Sequence, residues 1–413
     1  MTTASQIETT FREEYGRILA ALISQLGDFM LAEDALQDAL LNALERWDKE
    51  GVPRNPGAWL MAVAKRRAID RLRRAATQDH IAVMLEPPQE KESDEKEIDM
   101  EDTLPDDRLK LMFTCCHPAL ALETQVALTL HTLGGLSTQD VARAFLVSES
   151  TMAQRLARAR KKIRDAGIPY RVPPADLFPE RLDALLAVIY LIFNEGYVST
   201  TGDTLTRQEL CNEAIRLCRI LVNLLPDSAE SRGLLALMLL HDSRRETRLT
   251  PTGELILLEE QDRSRWDASM IREGIAILDE AMDLRNPGPY QVQAAISALH
   301  AEASTFETTD WTQIAMLYDT LAQMTPSMVV KVNRAVAVSM AKDARAGLQI
   351  LLSLESQADG FYPYHAARAD LLRRTNQRDA AADAYQRALD LCTNIAERVY
   401  LQRRLDEMLN RVG

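Results

Sequence analysis

The chain has 413 residues, 46% hydrophobic and 26% charged, with a net charge of −13 and a pI near 5.1. Its longest apolar run, Ala184 to Phe193, is about half of the ~20 residues a membrane span requires, which argues against membrane insertion. Five scattered cysteines, an odd number, form no disulfide framework and agree with a reducing compartment.

The length predicts two to four domains at roughly 100–200 residues each. Few aromatics, only 16 glycines, and much Ala, Leu, Arg and Glu predict an all-α fold. The N-terminus is polar and acidic and shows no basic segment followed by an apolar one, so no secretory signal is expected and the protein is placed in the cytoplasm.

From Glu8 to Asp48 apolar residues recur at helical spacing: Phe11, Tyr15, Ile18, Leu19 and Leu22, then Leu36, Leu40, Leu44 and Trp47. The spacing predicts two amphipathic helices broken near "QLGD". "GVPRNPG", Gly51 to Gly57, interrupts helix because Pro53 and Pro56 each remove a donor and fix φ. A third helix follows in "AWLMAVAKRRAIDRLRRA". Its face of Trp59, Val63, Ile69 and Leu72 is expected to pack inward, leaving Lys65, Arg66, Arg67, Arg71, Arg73 and Arg74 largely outward. Residues 8–77 thus form a first helical domain.

Between Asp79 and Asp107 there are twelve Asp or Glu against two Lys, with three prolines. Such a stretch is too charged to bury a core and reads as an acidic linker over 78–106. Helices resume at Asp107. Cys115, Cys116 and His117 lack the usual zinc-ligand spacing and have no second half-site. No glycine-rich phosphate loop, metal cluster or nucleophile elbow appears, so no cofactor and no enzymatic activity are expected.

"STQDVARAFLVSESTMAQRLARARKKIRD", Ser137 to Asp165, fits a helix-turn-helix within a domain spanning 107–167. Ser137 and Ser148 suit N-caps, and Val141, Ala142 and Phe145 face inward, Ala142 being small enough for a close helix crossing. Met152, Leu156, Ala159 and Ile163 form the buried stripe of the second helix. Near its N-terminus Glu149, Ser150, Thr151, Gln154 and Arg155 occupy the part a recognition helix presents to base edges. Arg158, Lys161 and Lys162 are placed for phosphates, which position a protein without reading sequence. Leu146 stands where many such turns have glycine, a residue free to take positive φ.

Residues 168–413 carry an internal rhythm. A small or apolar residue is followed by apolar ones four and seven positions later, as on the second helix of a tetratricopeptide repeat. The pattern fits Ala214, Cys218, Leu221; Gly274, Leu278, Ala281; Ile314, Tyr318, Leu321; Gly347, Leu351, Leu354; and Ala381, Tyr385, Ala388. Only the last three starts keep a repeat-like spacing. "HDSRRETR" at His241 reads as a loop between repeats.

The order "LAEDALQDALLNALERWD", "AWLMAVAKRRAIDRLRR", acidic linker, "GGLSTQDVARAFLVSESTMAQRLARARKKIRD" resembles bacterial extracytoplasmic-function sigma factors across residues 10–166. The tail, with "LIFNEGY" and "QDRSRWD", resembles the subgroup with a tetratricopeptide-like C-terminal extension. The resemblance implies partners: core RNA polymerase, through its β′ clamp helices and β flap, and promoter DNA. It implies that Asp34, Gln37, Asp38 and Leu41 dock on the clamp helices. It gives Trp59 to Arg74 the opening and reading of the −10 element, and the loop containing Asn55 a flipped-out base. Thr151, Gln154, Arg155 and Arg158 would read the −35 element. Arg66 departs from the family's common Asn, as Leu146 does from its Gly. A protein or peptide partner is expected for the C-terminal repeats. The alternative reading is a one-component helix-turn-helix regulator with a partner-sensing repeat domain.

Overall fold

The computed structural model describes residues 3–78, 104–198, 204–250 and 255–409. Among them are nineteen α-helices, and the only extended pairing is an isolated bridge between Leu249 and Leu255. The fold is all-α, as its composition implies. Most of the expected acidic linker, 79–103, lies outside the described residues, as does the side chain of Phe11. The chain divides into two compact units, Met1–Ile192 and Phe193–Gly413.

The first unit contains α1 (Thr3–Leu26), α2 (Phe29–Glu50), α3 (Pro56–Gln78), α4 (Leu104–Cys115), α5 (Leu122–Thr132), α6 (Thr138–Ala144), α7 (Glu149–Asp165) and the start of α8 (Phe178–Val198). The break at "QLGD" is built by Gly27 at φ +69° and by Asp28, whose carboxylate accepts from the Leu31 amide at 3.0 Å. Gly51 at φ +86° ends α2, and Pro56 opens α3, where its missing N–H costs nothing.

Ile18, Leu19 and Leu22 of α1 are buried with Ala32, Ala35, Leu36, Ala39, Ala43 and Trp47 of α2 and with Leu60, Met61, Ala64 and Ala68 of α3. This corrects the expected faces. On α3 Trp59, Val63 and Ile69 are half-buried and Leu72 is exposed; on α2 Leu40 is half-buried and Leu44 exposed. Alanines let the helices approach closely, so the inward stripe follows the small residues together with Leu36, Trp47, Leu60 and Met61, while Leu44 and Leu72 fall outside it.

α1 also packs against α4 and α5. At Gly16 an added Cβ would stand 2.9 Å from the Leu133 carbonyl oxygen, so this crossing admits only glycine without a shift. The boundary between the units falls within α8 rather than at the proline-rich connector. The reason is local: Phe178 meets Phe113 edge-on at 5.5 Å, and Arg181 donates to the Phe113 carbonyl at 2.6 Å.

The second unit holds the end of α8, then α9 (Thr204–Leu224), α10 (Ala229–Asp242), 3-10 turns at Arg245–Thr247 and Arg263–Arg265, α11 (Ala268–Asp283), α12 (Pro289–Glu302), α13 (Trp311–Met324), α14 (Met328–Ala341), α15 (Ala344–Leu352), α16 (Glu355–Ala358), α17 (Tyr362–Arg374), α18 (Arg378–Leu391) and α19 (Ile395–Leu409). Consecutive helices pair as α10/α11, α12/α13, α14/α15 and α17/α18. The five rhythmic triplets fall on or at the ends of α9, α11, α13, α15 and α18, and all their residues are buried except the half-buried Tyr318. The irregular early spacing has a simple origin. A long connector with two 3-10 turns separates α10 from α11, and residues 303–310 lengthen the path from α12 to α13.

Candidate nucleic-acid interface

The helix-turn-helix forms as its sequence implies. Ser137 and Asp140 make a reciprocal capping box, and the Ser148 hydroxyl accepts from the Thr151 amide at 3.2 Å. Leu146 takes φ +52° between the two helices. Met152, Leu156, Ala159 and Ile163 are buried along α7, which turns Ser150, Thr151, Gln154, Arg158, Lys161 and Lys162 to solvent. Three of these exposed groups already have local partners. The Ser148 hydroxyl lies 3.0 Å from that of Ser150 and 2.7 Å from that of Thr151, and Arg158 Nε donates to the Gln154 carbonyl at 3.3 Å. Arg155 is half-buried, 3.3 Å from Glu123 and 5.4 Å from the Phe145 ring centre. Its cation has a structural use as well as a place at the N-terminal face of α7.

On α3, Lys65, Arg66, Arg67 and Arg74 are exposed and form no ion pair among the described residues; Arg73 is exposed too. Arg71 behaves differently. Its guanidinium bridges Asp34 at 2.8 Å and Asp38 at 2.7 Å, joining the residue expected on DNA to two expected on polymerase. Such a half-exposed bridge is worth little to stability, and its carboxylates stay within reach of solvent. Gln37 and Leu41 are exposed on the same side of α2; Leu41 is 61% and Leu44 49% exposed. Asn55 caps α3, accepting from the Ala58 amide at 3.0 Å, while Trp59 is half-buried with its ring 5.3 Å from that of Trp47.

A buried ionic cluster that the sequence reading missed ties α2 to α5 and α7. Glu33, 3% exposed, accepts from Arg160 of α7 and lies 3.0 Å from Nε2 of His131, whose Nδ1 is 2.8 Å from the Leu136 carbonyl. Tyr15 stands edge-on to His131 at 6.4 Å. Burial and the neighbouring Glu33 carboxylate push the Tyr15 hydroxyl pKa well above its usual value, against the opposing pull of Arg160. Beside this cluster Arg164 Nη1 is 3.6 Å from the Met30 sulfur. Tyr170, in the connector after α7, donates its one hydroxyl proton toward the Ala20 carbonyl of α1 at 2.8 Å and the Asp107 carbonyl of α4 at 2.9 Å. Glu33 sits between Ala32 and Leu36 on the inward stripe of α2.

Comparison with known proteins matches three successive parts of the chain. Residues 10–78 match the model of sigma-70 region 2, residues 110–163 that of sigma-70 region 4, and residues 181–282 that of a family of unknown function. An uncharacterized protein of Rhizobium meliloti (strain 1021) is 41% identical over 99% of this chain and 97% of its own length. A probable extracytoplasmic-function RNA polymerase sigma factor, SigI of Mycobacterium tuberculosis, is 24% identical over 42% of this chain and 60% of its own. With α1 to α3 matching region 2, α6 and α7 forming the helix-turn-helix of region 4, and the rest helical, the chain belongs to the extracytoplasmic-function sigma factors, in a form with a long C-terminal extension.

Proposed function

We propose that this sigma factor docks on the polymerase β′ clamp helices through Asp34, Gln37, Asp38 and Leu41, opens and reads the −10 element through Asn55, Trp59 and the basic face of α3, and reads the −35 element through the N-terminal half of α7. The exposed leucines of α2 support the docking role, since apolar side chains surrounded by polar ones suit a protein partner. Lys65, Arg66, Arg67, Arg73 and Arg74 suit the opening step, in which phosphates and unstacked bases become exposed. The reading rests above all on α7, whose capped N-terminus, buried apolar stripe and outward polar and basic residues are the parts of a recognition helix. In this reading the C-terminal helical unit regulates or supports initiation through a protein or peptide partner, and the protein acts in the cytoplasm.

The two promoter elements are centred about 25 base pairs apart, roughly 85 Å at ~3.4 Å per base pair. Region 2 and region 4 touch through Glu33 and Arg160, so α3 and α7 reach both elements together only after that contact parts. The chain of residues 79–103 supplies up to about 85 Å of contour for such a separation.

Transcription from a cognate promoter by purified core polymerase tests the reading. The full chain is expected to copurify with the β′ subunit and to produce transcripts that core alone does not. Replacing Lys65, Arg66 and Arg67 together by Ala is expected to lower open-complex formation at least tenfold and leave core binding intact. Tight binding to duplex DNA without polymerase, with no effect on core, would sink the proposal in favour of a one-component regulator.

A further inference from the structure

Four stretches distant in sequence converge in the second unit: Tyr197 from the end of α8, His241 to Arg248 from the end of α10 and the turn after it, Arg263 from the turn before α11, and His300 from the end of α12. The Arg248 guanidinium lies 3.6 Å from the centre of the Tyr197 ring and also donates to the Tyr197 carbonyl. Arg244 Nε donates to the Tyr197 hydroxyl at 3.1 Å. The Tyr197 ring stacks on Phe193 at 5.3 Å and lies at the same distance from His241. Thr247, buried beneath these arginines, accepts from the indole of Trp266 at 2.9 Å, and the Asp267 amide donates to the Ser243 carbonyl at 2.7 Å. The turn carrying Arg244 and Arg248 is therefore fixed from both sides.

The charges of this cluster are not balanced from within. Asp242 is taken by Arg245 in a bidentate pair at 2.7 and 2.6 Å, and Glu246, between Arg244 and Arg248 in sequence, is exposed and pairs with neither among the described residues. None of Arg244, Arg248 and Arg263 forms an ion pair among the described residues; burial first, and then the neighbouring Arg244, weaken proton binding at Arg248, Arg263, His241 and His300, with Glu397 and Glu307 opposing this only from beyond ion-pair distance at Arg248 and Arg263. Arg263 spends its donors on the His300 and Ala303 carbonyls, at 2.7 and 2.8 Å, and on Thr309. It closes the C-terminus of α12, a structural use. Arg244 closes no helix end, and among the described residues both of its terminal nitrogens lack a hydrogen-bond partner, as do Nε and one terminal nitrogen of Arg248. Nδ1 of His241 and Nδ1 of His300 are buried and have no hydrogen-bond partner among the described residues. Like charges held together, open guanidinium forks and orphaned imidazole nitrogens are each costly, and an anion with several acceptor oxygens relieves all three.

We propose that Arg244 and Arg248, backed by Tyr197, His241 and His300, form a binding site for a small oxyanion ligand, one that presents a phosphate or a carboxylate group. A planar fork stacked on an aromatic ring is preorganised for such groups, because little side-chain freedom remains to be lost on binding. The net charge of −13 disfavours a polyanion such as nucleic acid at this place and leaves small anions, which its long-range field repels far less. The site lies at the join of the end of α8 with the first helix pair, so its occupant would bear on how the extension begins.

Calorimetry and thermal melting of the full chain test the proposal, with inorganic phosphate and acetate titrated in parallel against chloride at matched ionic strength. At least one of the two anions is expected to bind saturably and raise Tm beyond the chloride control; which arm responds tells a phosphoryl ligand from a carboxylate. Arg244→Gln is expected to weaken that binding at least tenfold, while Arg219→Gln, remote in role and paired with Glu273, leaves it unchanged. If Arg244→Gln fails to fold, Arg244→Lys keeps the charge without the fork and is expected to weaken binding at least threefold. Anion responses no larger than chloride's, or a full response in the Arg244 variant that folds, would overturn the proposal.

Discussion

Leu146 occupies a conformation that costs an L-residue about 1–2 kcal/mol, and with 69% of its surface exposed it gains little packing in return. Glycine removes that strain at the expense of a more flexible unfolded chain. Leu146→Gly is therefore expected to stabilise the first unit by up to about 1 kcal/mol, read as a higher urea midpoint; a lower midpoint would mean that the turn is not strained at this residue. This position was legible in the sequence, because the turn of a helix-turn-helix demands a left-handed residue whoever occupies it. Glu33 was not. A carboxylate next to Asp34 is assigned to solvent by its chemistry, and only its partners His131 and Arg160, far away in the chain, explain its burial.

Helix α7 was read in full from its spacing, since its four buried residues are apolar and the intervals of four, three and four are unambiguous. Helix α3 was read with its face displaced, because alanines at Ala64 and Ala68 carry the close contact and a count of large side chains overlooks them. Along α7 the roles divide by depth. Arg155 is braced by Glu123 and Phe145, while Arg158, Lys161 and Lys162 stand exposed beyond it. Replacing those three by Ala is expected to reduce the slope of log K against log salt for the polymerase–promoter complex by about 2–3, with sequence preference retained. An unchanged slope would remove them from the phosphate contacts.

Taken whole, the molecule is an acidic chain with exposed basic faces on α3 and α7 of its first unit. Bulk charge opposes free DNA, whereas a local face acts within a screening length of ~8–10 Å once polymerase supplies the proximity. If both promoter elements are held at once, region 4 leaves region 2, and this can be prevented. With Met30→Cys and Arg164→Cys joined by a short cleavable bis-maleimide, promoter-complex formation is expected to fall at least tenfold and to return on cleavage. The five native cysteines are buried and out of the reagent's way. Undiminished complex formation by the linked protein would show that no separation is needed. The Glu33 cluster also has a consequence in time. Its partners lie 98 and 127 residues downstream, so at about 5–20 residues per second the finished stripe of α2 waits several seconds for them during synthesis. Through that interval a polar carboxyl side chain sits in the middle of an otherwise apolar face. The residue that later fastens the folded unit first serves as a gatekeeper, keeping the nascent helix from associating with its neighbours on the polysome.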